Sequence, residues 1–432
     1  MGLERLSPEL VSLILQNAES PRALHDMISA SSIFLRVFSE TPHLILSSVV
    51  QNALPDDNLT HFLAARQTPL PATRNTVSEF LDKYFDPAYS FDFPTKKEDL
   101  VLLCQLYNRV TFLISCYAEY MQRLGLAESI LVPSSTERIR LQRAFLRFEI
   151  YSRVFLSENN SFYENLLPND QFYSAEQFDL FLTCLSPWEV EEMACVELYF
   201  TLMIRDYIDE LENQFICAAS MYADSLSAKS ETETEADSLV GFAALEQTSL
   251  ALFSKQGRYH SLDNISYMTS LGVDFIYNLC SPGQGRSELI RSNCIYTREF
   301  LPAALRHSPT WPPDHQYEAI PSLEDNWPCS NSNLGYLIFG RVEGDDRIYK
   351  PITTTGNLLS GVRQLGYVFW DSDRIRSPLV YYKLEDARLK LWQDITFEFD
   401  PGAKRGAEEL LAYVKVRRDQ MQKLETDFGY IS

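Results

Sequence analysis

The chain has 432 residues, 45% of them hydrophobic, and its 59 Asp plus Glu outweigh 38 Lys plus Arg to leave a net charge of −21. A chain of this size buries a core without help from disulfides or metal, and so large a negative charge repels phosphate backbones and anionic lipid head groups, which argues against nucleic acid and membrane surfaces as partners. No apolar run approaches the roughly eighteen residues of a membrane span, and the N-terminus lacks a secretory signal, so an intracellular protein, cytoplasmic or nuclear, is expected.

In chain order, helix signals dominate from the start. Ser7 and Pro8 mark a helix N-terminus, where the hydroxyl can accept a first-turn N–H and proline has none to waste. Leu10, Leu13 and Ile14 then fall on one stripe. Ser20 and Pro21 repeat the device before Leu24, Met27 and Ile28, and a third group, Phe34, Val37 and Phe38, ends at Thr41 and Pro42. So small a unit cannot cover both faces of its helices. Either Leu10, Ile14 and Leu15 face inward onto the apolar helix at 44–54, or another protein covers them.

Longer apolar stripes run over 98–124, 135–156, 187–225, 266–280 and 405–426. Ser134 with Glu137, and Ser186 with Glu189, have capping-box spacing, and Pro187 strengthens the second start. On the 135–156 helix lie Arg138, Arg140, Arg143, Arg147 and Arg153. Arg140, Arg143 and Arg147 share a face, which makes them candidates for holding an acidic or phosphorylated substrate segment; the plainer alternative pairs them with the chain's own carboxylates. The helix from Pro187 carries apolar residues on more than one face and is expected at the centre of the fold. Residues 225–239, SLSAKSETETEADSL, read as a mobile acidic loop, and the Pro-rich 308–333 as an irregular connection. LGYLIFG at 334–340 and LGYVFWD at 365–371 share Leu-Gly-Tyr without making a repeat. The expected fold is all-α: a three-helix unit over residues 1–45, then a larger irregular helical domain over 46–432.

Chemistry is sparse. The eight cysteines include no CxxC pair and read as reduced, structural residues. The six histidines form no HExxH, and His307, His315 and Cys329 fit no zinc spacing. SPGQGRS at 281–287 has neither a preceding strand nor a P-loop lysine, and there is no GxSxG. No catalytic residue, metal or cofactor is expected.

RLSPELVSLILQNAESPRALHDMISASSIFLRVFSE, residues 5–40, resembles the F-box, the module by which substrate receptors dock onto the Skp adaptor of cullin-based SCF ubiquitin ligases. Leu6, Pro8, Glu9 and Leu10 resemble its entry motif Leu-Pro-x-Glu-Leu, and Ile14 and Leu15 its paired aliphatics. Leu24 resembles the apolar residue of its second helix, and Phe34 the aromatic after a small polar pair, here Ser31 and Ser32. Ser7 stands where the family usually has proline. Ala18 replaces a leucine, which would thin the docking face. SPRALHDMISASSIFLRVF and LGYVFWDSDRIRS, the latter at 365–377, look like segments of fungal F-box-like proteins whose remaining chain is helical.

The resemblance implies an adaptor-binding set of Leu6, Pro8, Leu10, Ile14, Leu15, Leu24 and Phe34. It implies the Skp adaptor and cullin complex as partners, an unidentified protein substrate for the helical remainder, and no catalysis by the chain itself. Two other readings stay open: a helical scaffold whose F-box-like helices are core and bind no ligase, and an enzyme with a site between helices that no motif reveals.

Overall fold

The computed structural model describes residues 6–54, 56–69, 72–126, 132–155, 172–228, 262–281, 285–293, 300–305, 333–336 and 360–396. These form an all-α fold of seventeen helices with no strand among them. Outside the described residues lie 229–239 of the acidic stretch, 308–332 of the Pro-rich connection, the helix expected at 405–426, and His307, His315 and Cys329.

Four helices open the chain: α1 (Pro8–Gln16), α2 (Pro21–Ala30), α3 (Ser32–Glu40) and α4 (Pro42–Ala53). Proline at the start of α4 ends the preceding helix, and the axis turns by 100° between α3 and α4. α4 packs on α1, α2 and α3 through one side and on the long α7 (Lys97–Arg123) through another. Asn52 Nδ2 also donates to Gln16 O at 2.8 Å, tying α4 to the end of α1. The apolar core is therefore continuous across residue 45, and one connected set of buried side chains runs from Val11 to Leu384.

α7 alone among the described helices is long and apolar enough to cross a membrane. Here Leu103, Val110, Leu113, Tyr117 and Met121 are buried against neighbouring helices. Around it lie α5 (Asp56–Gln67), α6 (Arg74–Phe85) and α8 (Ser135–Val154). α9 (Ser174–Phe181) leads through a 3-10 turn, Leu182–Cys184, to α10 (Pro187–Ala228). α10 has 42 residues, about 60 Å of helix, and contacts α8 and three shorter helices: α11 (Leu262–Ser270), α14 (Leu301–Ala304) and α15 (Ser360–Gln364). Because α10 continues to Ala228, residues 225–228 are helical rather than loop. The remaining helices are α12 (Gly272–Cys280), α13 (Arg286–Asn293), α16 (Ser372–Arg376) and α17 (Pro378–Thr396).

Two glycines allow close approaches. At Gly335 a Cβ would collide with the Tyr367 carbonyl oxygen, so the two Leu-Gly-Tyr segments meet backbone to backbone, and Asn333 Nδ2 donates to Val368 O across them. At Gly272 the helix expected over 266–280 breaks into α11 and α12. Gly272 has φ +78°, and the buried Glu149 carboxylate accepts the Val273 N–H at 2.7 Å, capping the positive end of α12.

We predict that Gly272→Ala destabilises the chain by about 2–3 kcal/mol, combining left-handed strain with a contact of 2.6 Å between the new Cβ and Glu149 Oε2. Urea unfolding checks this; Gly285→Ala, with nothing near its Cβ, is the control.

Candidate functional site

α1 is apolar on two sides. Val11, Leu15 and Ala18, spaced by four and three, form the inward stripe and are buried. Leu6, Leu10 and Ile14, spaced by four, point outward with Leu13, and their exposures are 37%, 49%, 38% and 52%. Pro8 and Glu9 are exposed beside them. Large apolar side chains also stand exposed on the two helices packed against α1, Leu35 on α3 and Leu44 on α4.

This geometry divides the residue set that the F-box resemblance implies. Leu6, Pro8, Leu10 and Ile14 lie on the outside. Leu15, Leu24 and Phe34 are buried in the chain's own core, because each lies on the inward stripe of its helix, so they shape the unit and cannot themselves meet a partner. Ala18 is buried too, and its small size is felt in the core rather than on the outer face. Leu13 is the most exposed of the α1 leucines yet has no place in the motif; its position three residues from Leu10 is what puts it on the outer stripe.

The arginine face of α8 turns inward. Arg140 Nη2 lies 2.7 Å from Asp371 Oδ1, and its Nη1 donates to Phe369 O at 2.6 Å. Arg143 grips Glu192 with two nitrogens, at 2.5 and 3.1 Å, and Arg147 lies 2.8 Å from Glu189. All three are thus engaged by the protein's own carboxylates, the plainer of the two alternatives that their spacing left open. The pattern continues through 360–376. Arg363 holds Glu191 at 2.6 and 2.7 Å while Tyr367 donates its hydroxyl to the same carboxylate, and Arg374 reaches Glu137 at 2.7 Å. The result is a charged seam joining α8, α10 and the 360–376 segment.

Electrostatics in the seam are strongly divided. Burial opposes ionisation of Glu189, yet the Arg147 charge and the Ser186 hydrogen bonds hold it down to about 2. The Thr201 hydroxyl donates to Glu197 at 2.8 Å, and burial pushes this carboxyl up to about 7 against that bond and the weaker pull of Arg363 and Arg205. His61 shares a hydrogen bond with Tyr84 at 2.9 Å; burial and the Arg147 and Arg143 charges lower it to about 3. Among the described residues no three His, Cys, Asp or Glu side chains gather as a metal site.

Two predictions follow from the seam. Arg143→Met strands the buried Glu192 carboxylate and costs about 3–5 kcal/mol, whereas Arg138→Ala, at an exposed position, changes stability by no more than about 0.5 kcal/mol; chemical denaturation separates them. For Glu197 the folded value of about 7 lies above the ordinary 4.5, so the folded state binds more protons and stability falls as pH rises between those values. Glu197→Gln removes that loss. Relative to the parent, the variant gains on the order of 3 kcal/mol between pH 4.5 and 7.5, read from urea midpoints at each pH; a difference that stays flat with pH refutes the buried-acid assignment.

No family model, curated protein or solved structure matches the chain.

Proposed function

We propose that the chain is a substrate receptor of an SCF-type ubiquitin ligase, docking on a Skp adaptor through the outer face of α1 and presenting a protein substrate on its helical remainder. The carrying observation is that the start of the chain has a second apolar stripe, Leu6, Leu10, Leu13 and Ile14, that stays exposed among the described residues after Val11, Leu15 and Ala18 have entered the core. Exposed leucines at helical spacing, entered through Pro8, suit insertion into an apolar groove. In this reading the chain performs no chemistry. The cullin-bound components transfer ubiquitin, and the receptor contributes proximity.

A second reading, a helical scaffold that binds no ligase, is favoured by one specific observation: the inner stripe of α1 is continuous with the core of α4 and α7, so these helices have a structural role whether or not a partner arrives.

The two readings separate on mixing the purified chain with a Skp adaptor and following co-elution by gel filtration. We expect a complex that Leu10→Asp weakens at least a hundredfold while the melting temperature stays within about 2 °C, because Leu10 is exposed in the free chain. Leu15→Asp, placing a charge in the core, unfolds the protein instead. Failure of the parent chain to co-elute overturns the receptor proposal and leaves the scaffold.

A further inference from the structure

α7 and α12 are joined by a ladder of side-chain pairs. Arg109 Nη1 lies 2.6 Å from Asp274 Oδ1. One turn on, the Phe112 and Tyr277 rings meet edge to face with centroids 5.1 Å apart. The next rung is sulfur: one turn beyond these two contacts the same register sets Cys116 of α7 beside Cys280 of α12. The numbers rise together, 109, 112, 116 on one helix and 274, 277, 280 on the other, so the helices run side by side in the same direction and the third rung follows from the first two. On its other side Cys280 Sγ is 3.1 Å from Met203 Sδ of α10.

Both cysteines are half-buried, whereas Cys104 and Cys195 are sealed in the core. We propose that Cys116 and Cys280 are an oxidation site, closing to a reversible disulfide that ties α7 to α12 when the chain meets a peroxide.

The two thiols differ in role. The neighbouring Cys280 holds Cys116 below the ordinary thiol range, against burial and the nearby Glu119 and with help from Arg123. Cys280 is pushed up by the same contact and by burial, with Tyr207 of α10 and Arg286 of α13 beside it drawing it back. Tyr199 of α10 also faces the pair. Cys116 is therefore the attacking thiolate. Its sulfur takes one oxygen of hydrogen peroxide, the O–O bond breaks, and the departing hydroxide leaves as water on taking a proton. Cys280, giving up its proton, then attacks the Cys116 sulfenic sulfur; the S–S bond forms, the S–O bond breaks, and a second water leaves. Two thiols and one peroxide yield one disulfide and two waters, with the sulfur pair losing two electrons and the peroxide gaining them.

The test treats the purified full chain with hydrogen peroxide, digests it under non-reducing conditions and maps cross-linked peptides by mass spectrometry. We expect a Cys116–Cys280 peptide, 2 Da lighter than the sum of its parts and released by dithiothreitol, with a rise in thermal midpoint of about 5 °C. In Cys280→Ser, dimedone should label Cys116, since its sulfenic acid has lost the thiol that resolves it. Absence of the linked peptide from the oxidised parent chain overturns the proposal; that readout needs no variant to fold. A linked peptide joining either residue to another cysteine in preference overturns it equally.

Discussion

The seam of buried carboxylates between α8 and α10 is the constraint from which the rest of the arrangement follows. Glu137, Glu149, Glu191 and Glu192 are almost wholly removed from solvent, and each is met by named donors: Arg374 and the Asp371 N–H, Arg153 and the Val273 N–H, Arg363 with Tyr367, and Arg143. Removing two ions from water costs several kcal/mol each, a sum that Coulomb attraction offsets only in good geometry. The seam therefore contributes little net stability and a great deal of register. A one-residue slip of α10 along α8 would carry Glu191 and Glu192 away from their forks together. The same requirement docks 360–376, since Arg363 must reach α10 while Asp371 and Arg374 reach the start of α8.

With the interior held in this way, α1 gives its inner stripe to the core, and among the described residues its outer stripe stays exposed. Burying one such side chain is worth about 1.5–3 kcal/mol, while association costs roughly 4–15 kcal/mol in lost freedom. Four side chains, each about half exposed, contribute only about 3–6 kcal/mol between them, enough for no more than the lower end of that range. A stable complex usually buries about 800 Å² on each partner, which is more than α1 can present. Any partner that holds α1 tightly must reach the neighbouring helices as well, where Leu35 and Leu44 are exposed.

Local physics made part of this legible beforehand. The 98–124 and 135–156 helices could be read from periodicity, and the starts at Ser134 and Ser20 from capping: Ser134 and Glu137 complete a capping box, and the Ser20 hydroxyl accepts the Ala23 N–H at 3.1 Å. Ser7 follows the same rule on paper, but its hydroxyl makes no such bond. Ser186 departs differently, donating its hydroxyl to Glu189. α5 escaped periodicity because Phe62, Leu63, Ala64 and Ala65 are consecutive and all buried, leaving no stripe to detect. The break at Gly272 depends on a carboxylate 123 positions earlier, at Glu149, and no local signal reports it. The F-box-like pattern named apolar positions on α1 without saying which faced in; that division depends on α4, which lies outside the pattern.

The arginines of α8 show most sharply how long-range pairing reverses a local expectation. Three guanidinium groups on one helix face suggest a cationic cradle, but paired with Asp371, Glu192 and Glu189 they form neutral units. Neutral pairs cancel in the total, so the whole net charge of −21 is carried by the remaining groups. Over distances of a Debye length, about 8 Å at physiological salt, such a molecule presents a negative field. An acidic or phosphorylated segment, the ligand for which the arginine spacing alone would argue, would meet that field and cations already paired with the fold's own carboxylates.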